Sequence, residues 1–257
     1  MSEPDLLYEV KDKIAWMTIN RESRANALSL EMIDLFQEYL DRAEADDDVR
    51  GVCITATGDK AFCSGADLAS TVGGEGHTEG AEKYVTLLKM MVAFSKPVTA
   101  RVNGHCLAGG MGLMLSCDMV YAREGVKFGT PEVNVGLFPM MIAALIFRNT
   151  KRKKALEMIY TARMLSAAEA EDMGLITRAV PAERLDQVVH ETLKSIATKA
   201  PLAVRLGRKA LAATQDMELD EALDYLCAKL GVVAGTEDAR EGLTAFLEKR
   251  EPVWRGR

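Results

Sequence analysis

A glycine-rich segment in the middle of the chain constrains its fold most strongly. Gly109, Gly110 and Gly112 stand within four residues and lead into an apolar segment typical of a helix. Glycine lets the backbone pass close to a ligand or a neighbouring strand because it has no Cβ. Glycines at a helix start also leave free N–H groups at its positive end, which suits an anion. From the residues alone, this segment is either a tight structural turn or a site for negative charge.

A lone carboxylate follows twenty positions after the last of these glycines. Glu132 stands in a Gly-Thr-Pro-Glu sequence between Phe128 and the apolar segment 133–147. Apolar surroundings disfavour the charged form of a carboxyl group and raise its pKa, as a proton-transfer group needs. The alternative is a surface carboxylate that caps a helix or pairs with a cation. Free N–H groups near a carboxyl group in apolar surroundings predict a reaction in which the N–H groups stabilise an anion and the carboxyl group transfers a proton.

Composition narrows the classes of function. The net charge of −6 over 257 residues argues against nucleic-acid binding. The longest apolar run, 135–147, is too short to cross a bilayer, so no membrane association is expected. Five cysteines and three histidines show no metal-ligand spacing, so we expect no metal. The acidic start of the chain and the scattered cysteines predict a cytoplasmic protein.

Hydrophobic patterns predict an α/β fold whose C-terminal third is helical. Strand-helix-strand units that repeat through the first 160 or so residues indicate parallel crossover connections. The predicted strands are 6–10, 14–19, 52–57, 97–102 and 117–121. The predicted helices are one after the N-cap Ser29, then 81–94, 138–148, 151–160, 166–172, 182–197, 201–213, 219–232 and 237–249. Residues 73–80, with four glycines, are predicted to form a mobile loop near the ligand.

Two stretches resemble the crotonase, or enoyl-CoA hydratase/isomerase, superfamily. They are the Lys-Ala-Phe-Cys-Ser-Gly-Ala-Asp-Leu sequence of 60–68 and the segment 103–132, which ends in the F-G-x-P-E motif. The resemblance implies an α/β crotonase-like spiral of ββα units with a helical C-terminal trimerisation region. Residues 1–195 would form the core with the CoA site, and 196–257 a helical region of the same unit for oligomerisation and CoA contact. The expected assembly is a homotrimer or a dimer of trimers.

The resemblance also assigns the reacting groups. Superfamily members grip the thioester oxygen of an acyl-CoA with two backbone N–H groups while it takes on enolate charge. These correspond to Ala66 and Gly109, with Gly110 as the neighbouring alternative, and Glu132 corresponds to a proton-transfer residue. Coenzyme A would arrive as part of the substrate, and no permanently bound cofactor is implied.

Further residues resemble the substrate and CoA contacts of the superfamily. The segment 24–28 resembles the loop along the nucleotide and pantetheine, and the F-x-x-K pattern of 246–249 often reaches CoA from an adjoining subunit. In the alternative, Phe246 is a residue of the hydrophobic core and Lys249 is a solvated surface charge. The full set is Arg24, Ala25, Ala27, Leu28, Ser64, Asp67, Leu68, Gly110, Gly112, Pro131, Phe138, Met141, Phe246 and Lys249. An apolar acyl pocket is predicted from Tyr84, Leu88, Met91, Met111, Phe138, Met140 and Met141.

One position departs from the best-studied hydratases, which use two glutamates twenty positions apart. The first would fall at Gly112, which resembles the single-carboxylate members, including Δ3,Δ2-enoyl-CoA isomerases and several hydratases. One carboxylate suffices for a 1,3-proton shift, and it could also activate a water and protonate the α-carbon. The sequence thus predicts an enzyme, an enoyl-CoA hydratase of fatty-acid or acyl-CoA metabolism with the single glutamate Glu132. The alternatives are a Δ3,Δ2-enoyl-CoA isomerase, a thioester hydrolase or decarboxylase of the same fold, or a non-catalytic acyl-CoA-binding protein.

Overall fold

Two β-sheets carry the fold in the computed structural model, which describes residues 3–67 and 76–257. The strands are β1 (Leu6–Lys11), β2 (Ile14–Ile19), β3 (Gly51–Ala56), β4 (Ala61–Cys63), β5 (Val98–Val102), β6 (His105–Leu107), β7 (Met119–Arg123), β8 (Lys127–Gly129), β9 (Leu165–Ser166) and β10 (Arg178–Val180). The α-helices are α1 (Leu30–Ala45), α2 (Gly76–Ala93), α3 (Gly109–Leu115), α4 (Met140–Asn149), α5 (Arg152–Thr161), α6 (Ala167–Asp172), α7 (Leu185–Ala197), α8 (Pro201–Ala213), α9 (Leu219–Ala234) and α10 (Glu237–Glu248). Short 3-10 helices cover Glu22–Arg24, Pro131–Val135 and Ala182–Arg184.

The larger sheet has the strand order β1-β2-β3-β5-β7-β10. Only β1 and β2 pair antiparallel, as a hairpin, and the remaining neighbours pair in parallel. Every residue of β3 is buried, which is typical of a parallel strand covered on both faces. The five strands predicted from hydrophobic patterns all lie in this sheet, with ends within two residues of the prediction. The parallel α/β architecture is therefore confirmed.

The smaller sheet, ordered β4-β6-β8-β9, was not predicted as a sheet. Its strands have two or three residues each, too few to show an alternating pattern, and residues 58–67 looked turn-rich for that reason. Successive strands of the chain alternate between the sheets, because β3, β5 and β7 lie in the larger one and β4, β6 and β8 in the smaller. Helices α2 and α3 follow the first two of these pairs. The predicted repeat of ββα units is thereby confirmed.

A capping residue determines the start of helix α1, and the spacing of apolar residues favours helix α2. The Ser29 side chain accepts a hydrogen bond from the Met32 N–H at 3.1 Å, as its predicted N-cap role requires. Helix α2 begins at Gly76, so the loop prediction is wrong for 76–80; residues 73–75 lie outside the described part. The side chains of Tyr84, Leu87, Leu88 and Met91 are buried at helical spacing. Their burial favours a helix and outweighs the low helix propensity of the glycines.

The C-terminal helices agree with the predicted bounds within two residues, apart from the 3-10 turn at Ala182–Arg184. The predicted capping box of α6 is present: the Ser166 hydroxyl accepts from the Glu169 N–H and the Glu169 carboxylate from the Ser166 N–H. None of the residues of α9 is buried in the single chain. Phe246 is 81% exposed, so the alternative that it is a core residue is wrong.

Candidate active site

Three parallel strands of the smaller sheet end side by side and lead directly into the predicted reacting groups. Strand β4 is followed by Ala66, β6 by Gly109, and β8 by Glu132. Because β6 pairs in parallel with both β4 and β8, the three carboxyl ends lie at one edge of the sheet. This topology brings together residues that are far apart in the sequence.

The two predicted N–H donors come from segments in van der Waals contact. A Cβ added at Gly109 would lie 3.5 Å from the Gly65 Cα and 3.6 Å from the Ala66 nitrogen. Gly65 itself has φ +102°, and a Cβ there would lie 2.7 Å from that of Ala108. Only glycine therefore combines this backbone conformation with such a close approach.

Strand-like hydrogen bonds orient Ala66. The Leu28 N–H donates to the Gly65 carbonyl at 2.8 Å, and the Asp67 N–H donates to the Leu28 carbonyl at 3.0 Å. Successive N–H groups of an extended segment point to opposite sides, so the Ala66 N–H faces away from Leu28. Among the described residues, no hydrogen-bond acceptor is found for the N–H of Ala66 or of Gly109. Both N–H groups are thus available to an external oxygen.

The neighbouring Gly110 has a packing role. A Cβ at this position would overlap the carbonyl oxygen of Cys63 in β4, so helix α3 can start against the strand only with glycine here. Gly110 is buried and does not line the site cavity, whereas Gly109 does. The sequence left both Gly109 and Gly110 as candidates for the second N–H donor, and this geometry favours Gly109.

Glu132 lies in the 3-10 helix that follows Thr130. Its Oε2 atom is buried and has no hydrogen-bond partner among the described residues. Desolvation by burial raises the pKa of this carboxyl above its ordinary value of 4.5, against the opposing effect of a hydrogen bond from its own backbone N–H. A half-buried carboxyl group with one oxygen atom that has no donor among the described residues is suited to exchange protons with a ligand.

A cavity of about 450 Å³ opens in front of these three groups. Much of its wall is apolar, as the residues Leu30, Ile33, Phe138, Met140 and Ile142 illustrate. Of the predicted acyl-pocket residues, Tyr84, Phe138, Met140 and Met141 line it. The other three, Leu88, Met91 and Met111, are buried in the hydrophobic core. The wall fits an apolar ligand beside a small polar reacting region.

The space beside Gly112 is filled. A Cβ there would overlap the Tyr84 hydroxyl and a methyl group of Ile142. The same Tyr84 hydroxyl donates a hydrogen bond to the Gly109 carbonyl. Burial raises the pKa of Tyr84 well above its ordinary value, so the phenol stays protonated and acts as a donor. No sequence pattern indicated this contact, because Tyr84 was predicted only as a residue of the acyl pocket.

The predicted residues divide between the cavity and its surroundings. Those that line it are Leu28, Ser64, Ala66, Asp67, Gly109, Pro131, Glu132, Phe138 and Met141. Those outside its lining are Arg24, Ala25, Ala27, Gly110, Gly112, Phe246 and Lys249. Arg24 and Ala25 are exposed, Ala27 is buried, and Phe246 and Lys249 are exposed at the end of α10. Leu68 lies outside the described residues.

Two residues that the sequence reasoning missed hold the loop before α1. The Arg21 guanidinium pairs with Asp67 at 3.1 Å and donates to the Ala27 carbonyl at 2.6 Å. Asn26, fully buried with φ 53°, donates to the Ala61 carbonyl at 2.6 Å. The signal available in the sequence was the Asn itself, since Asn tolerates the left-handed region and bonds to backbone groups.

Residues 3–67 and 76–257 contain no group of three or more His, Cys, Asp or Glu side chains able to hold a metal ion. Over the same ranges, no helix has the length and apolar character needed to cross a membrane.

Known proteins match this chain over nearly its whole length. The family described as enoyl-CoA hydratase/isomerase matches residues 9–257. Enoyl-CoA hydratase domain-containing protein 3, mitochondrial, from Rattus norvegicus is 36% identical over 98% of this chain and 85% of its own length. The short-chain-enoyl-CoA hydratase of Clostridium acetobutylicum is 31% identical over 96% of each chain. The crystal structure of an enoyl-CoA hydratase from Bacillus anthracis aligns with a TM-score of 0.95 at 32% identity, covering 98% of this chain and 100% of that one.

Proposed function

Because the chain belongs to the enoyl-CoA hydratase/isomerase family, we propose that it binds an enoyl-CoA thioester and transfers a proton at the α-carbon. One observation carries this proposal: the N–H groups of Ala66 and Gly109 and the carboxyl group of Glu132 lie around a single, largely apolar cavity. The apolar wall supports a hydrocarbon acyl group as the part of the substrate that fills it.

In the proposed mechanism, the thioester oxygen accepts hydrogen bonds from the Ala66 and Gly109 N–H groups. Negative charge collects on this oxygen as the enolate forms, so the two bonds strengthen in the transition state. Removal of one such donor costs roughly 3–4 kcal/mol in acyl-transfer enzymes. The proposed role of the backbone is therefore to lower the barrier to the enolate rather than to bind the ground state.

The proposed net reaction is hydration of a 2-enoyl-CoA. The Glu132 carboxylate takes a proton from a water molecule as the water oxygen bonds to C3, and the electron pair of the C2–C3 double bond moves onto the thioester to form the enolate. Glu132 then returns the proton to C2, and a 3-hydroxyacyl-CoA results. The hydratase names of the Clostridium acetobutylicum relative and of a 32% identical crotonyl-CoA hydratase from Syntrophomonas wolfei support this candidate.

A second candidate, Δ3,Δ2-enoyl-CoA isomerisation, is favoured by the filled space beside Gly112. There Tyr84 and Ile142 occupy the room that a second carboxylate would need. Glu132 would remove a proton from C2 of a 3-enoyl-CoA, the enolate would form, and the same proton would return to C4 as the double bond moves to C2–C3. This shift needs one base and no water.

The proposed assembly comes from the family resemblance, and the proposed location from the scattered cysteines. We propose a homotrimer or a dimer of trimers in the cytoplasm, with residues 1–195 as the catalytic core and 196–257 as the oligomerising region. Exposed apolar residues of α9 and α10, Leu219, Leu230, Leu243, Phe246 and Leu247, support burial of this surface between subunits. Phe246 and Lys249 would then reach the CoA of a neighbouring subunit.

A paired assay tests the proposal and separates its two candidates. Purified protein receives a trans-2-enoyl-CoA in one cuvette and a trans-3-enoyl-CoA in the other, and the absorbance of the conjugated thioester is followed. Loss in the first alone supports hydration, whereas gain in the second with little loss in the first supports isomerisation. Absence of both signals, with binding of the CoA ester shown, contradicts the proposed enzyme and leaves a binding protein or another reaction.

Two matched variants connect the activity to its residue. Glu132→Gln keeps the size of the side chain but removes the base, so turnover should be lost while binding of the CoA ester is nearly unchanged. Glu124→Gln makes the same exchange on an exposed turn after β7 and should keep full activity. Undiminished turnover in Glu132→Gln would refute the assignment.

A further inference from the structure

Tyr84 connects the acyl-pocket helix to the glycine turn that carries a proposed N–H donor. It belongs to α2, is 6% exposed, and lines the cavity. Its hydroxyl donates to the carbonyl of Gly109, at the first position of α3. The side chain therefore contacts the same residue whose N–H is proposed to bind the thioester oxygen.

The glycine turn needs such an external contact. Gly109 and Gly110 have no side chains to hold their backbone angles, and glycine readily adopts several conformations. Ala108, just before them, has φ 48°, a value uncommon for a residue with a Cβ. A hydrogen bond to the Gly109 carbonyl from a different helix restricts the rotation of this residue and with it the direction of its N–H.

The Tyr84 hydroxyl also restricts which side chain can stand at position 112. A Cβ of residue 112 would overlap this hydroxyl and a methyl group of Ile142. Position 112 is therefore restricted to glycine by packing from α2 and α4. This packing therefore leaves no room for a glutamate at position 112.

We propose that Tyr84 is a positioning residue: its hydroxyl aims the Gly109 N–H at the thioester oxygen and, together with Ile142, leaves no room for the side chain of a second glutamate at position 112. This inference rests on the proposed function and adds a residue to it. Removal of the hydroxyl should affect the enolate more than the ground state, because the N–H bond to oxygen is strongest when the charge has formed.

Tyr84→Phe removes the hydroxyl and keeps the ring, and Tyr39→Phe is its matched control. Tyr39 also donates its hydroxyl to a backbone carbonyl, that of Leu6 at 3.5 Å, at a place outside the cavity lining. For Tyr84→Phe we expect kcat to fall about 10–100-fold with KM changed less than about twofold, below the ~10²–10³-fold of a deleted donor. Tyr39→Phe should keep both constants.

A second readout is independent of turnover. Acetoacetyl-CoA, a 3-ketoacyl thioester, forms an enolate with its own ultraviolet absorbance, so a site with oriented N–H donors should raise the enolate fraction of the bound ester. Tyr84→Phe should lower this fraction at fixed pH and saturating ester. Introduction of a ring-fluorinated tyrosine at position 84, which keeps the hydroxyl, should restore it even where Tyr84→Phe folds poorly.

The outcomes separate this inference from the proposed function. A wild-type protein that binds no CoA ester, or binds acetoacetyl-CoA without any enolate signal, overturns both. Normal enolate formation in the wild type with the same fraction in folded Tyr84→Phe overturns only the role of Tyr84. Equal losses in Tyr84→Phe and the fluorotyrosine variant assign the effect to packing and also overturn it.

Discussion

The filled space at Gly112 leads to a prediction about stability that needs no substrate. Gly112→Ala adds one methyl group to helix α3, where alanine is ordinarily the better residue by about 1 kcal/mol. Here the added Cβ would overlap the Tyr84 hydroxyl and the Ile142 methyl group. The substitution should therefore destabilise the protein although it follows the general preference of helices.

The magnitude follows from two costs and one gain. Insertion of a methylene into a packed core costs about 1–3 kcal/mol. Displacement of the Tyr84 hydroxyl from the Gly109 carbonyl leaves a buried polar pair poorly bonded, at about 1–3 kcal/mol. With the gain in helix propensity subtracted, a loss of about 3 kcal/mol in the free energy of unfolding is expected. For a chain of this size that corresponds to a fall of roughly 6–12 °C in Tm.

Thermal and urea unfolding at equal protein concentration, followed by circular dichroism, measures this loss. The matched control is Gly207→Ala in α8, where an added Cβ would meet no atom within 4 Å. The control should keep its stability or gain up to about 1 kcal/mol from helix propensity. A Gly112→Ala protein as stable as the control would refute the packing described around Tyr84.

Three further predictions concern pH and buried contacts. Because burial raises the pKa of Glu132, and the carboxylate form is the proposed base, kcat/KM should fall on the acidic side with a midpoint above pH 4.5 in a pH–rate profile. Hydrogen bonds from Ser166 and Arg163 lower the pKa of Glu169 to about 2. The ionised Glu169 therefore stabilises the fold above its ordinary pKa of 4.5, and this stabilisation is lost as the pH falls toward 2. Glu169→Gln should lower the urea midpoint at pH 7 and change it little near pH 2. Lys96 is 1% exposed and donates to the Ala43 carbonyl at 2.5 Å and the Asp46 carbonyl at 2.6 Å. Lys96→Met leaves both carbonyls without this donor and should lower the free energy of unfolding in urea by about 2–4 kcal/mol. An unchanged urea midpoint would contradict this prediction.

The larger sheet and most helices could be predicted because their elements are long enough to show a hydrophobic period. Strand β3 and helix α8 are examples, found within one residue of the prediction. The smaller sheet could not, since three residues such as those of β4 carry no periodicity. Its position depends on pairing with β6, more than forty residues away, and local patterns contain no information about such pairing.

The candidate site could be predicted only in part, and for a related reason. The glycine segment with Gly109 and the carboxylate Glu132 were indicated by the residues themselves and Ala66 by resemblance, and the structure gathers all three at one cavity. The absence of a side chain at Gly112 was visible in the sequence, but its cause was not. Tyr84 lies 28 positions earlier on a different helix, and only the packing of α2 on α3 reveals the contact.

The alternation of strands between the two sheets separates the tasks of the site. One ββα unit carries Ala66, the next carries Gly109, and the strand pair after them leads to Glu132, so the two proposed N–H donors and the proposed proton carrier follow successive strand pairs. Each task is thus attached to its own turn of the spiral, on strands that only share an edge. Under the proposed function, a substitution in one turn can alter proton transfer while both N–H groups still bind the thioester oxygen, and one scaffold can accommodate different reactions that begin from a common enolate.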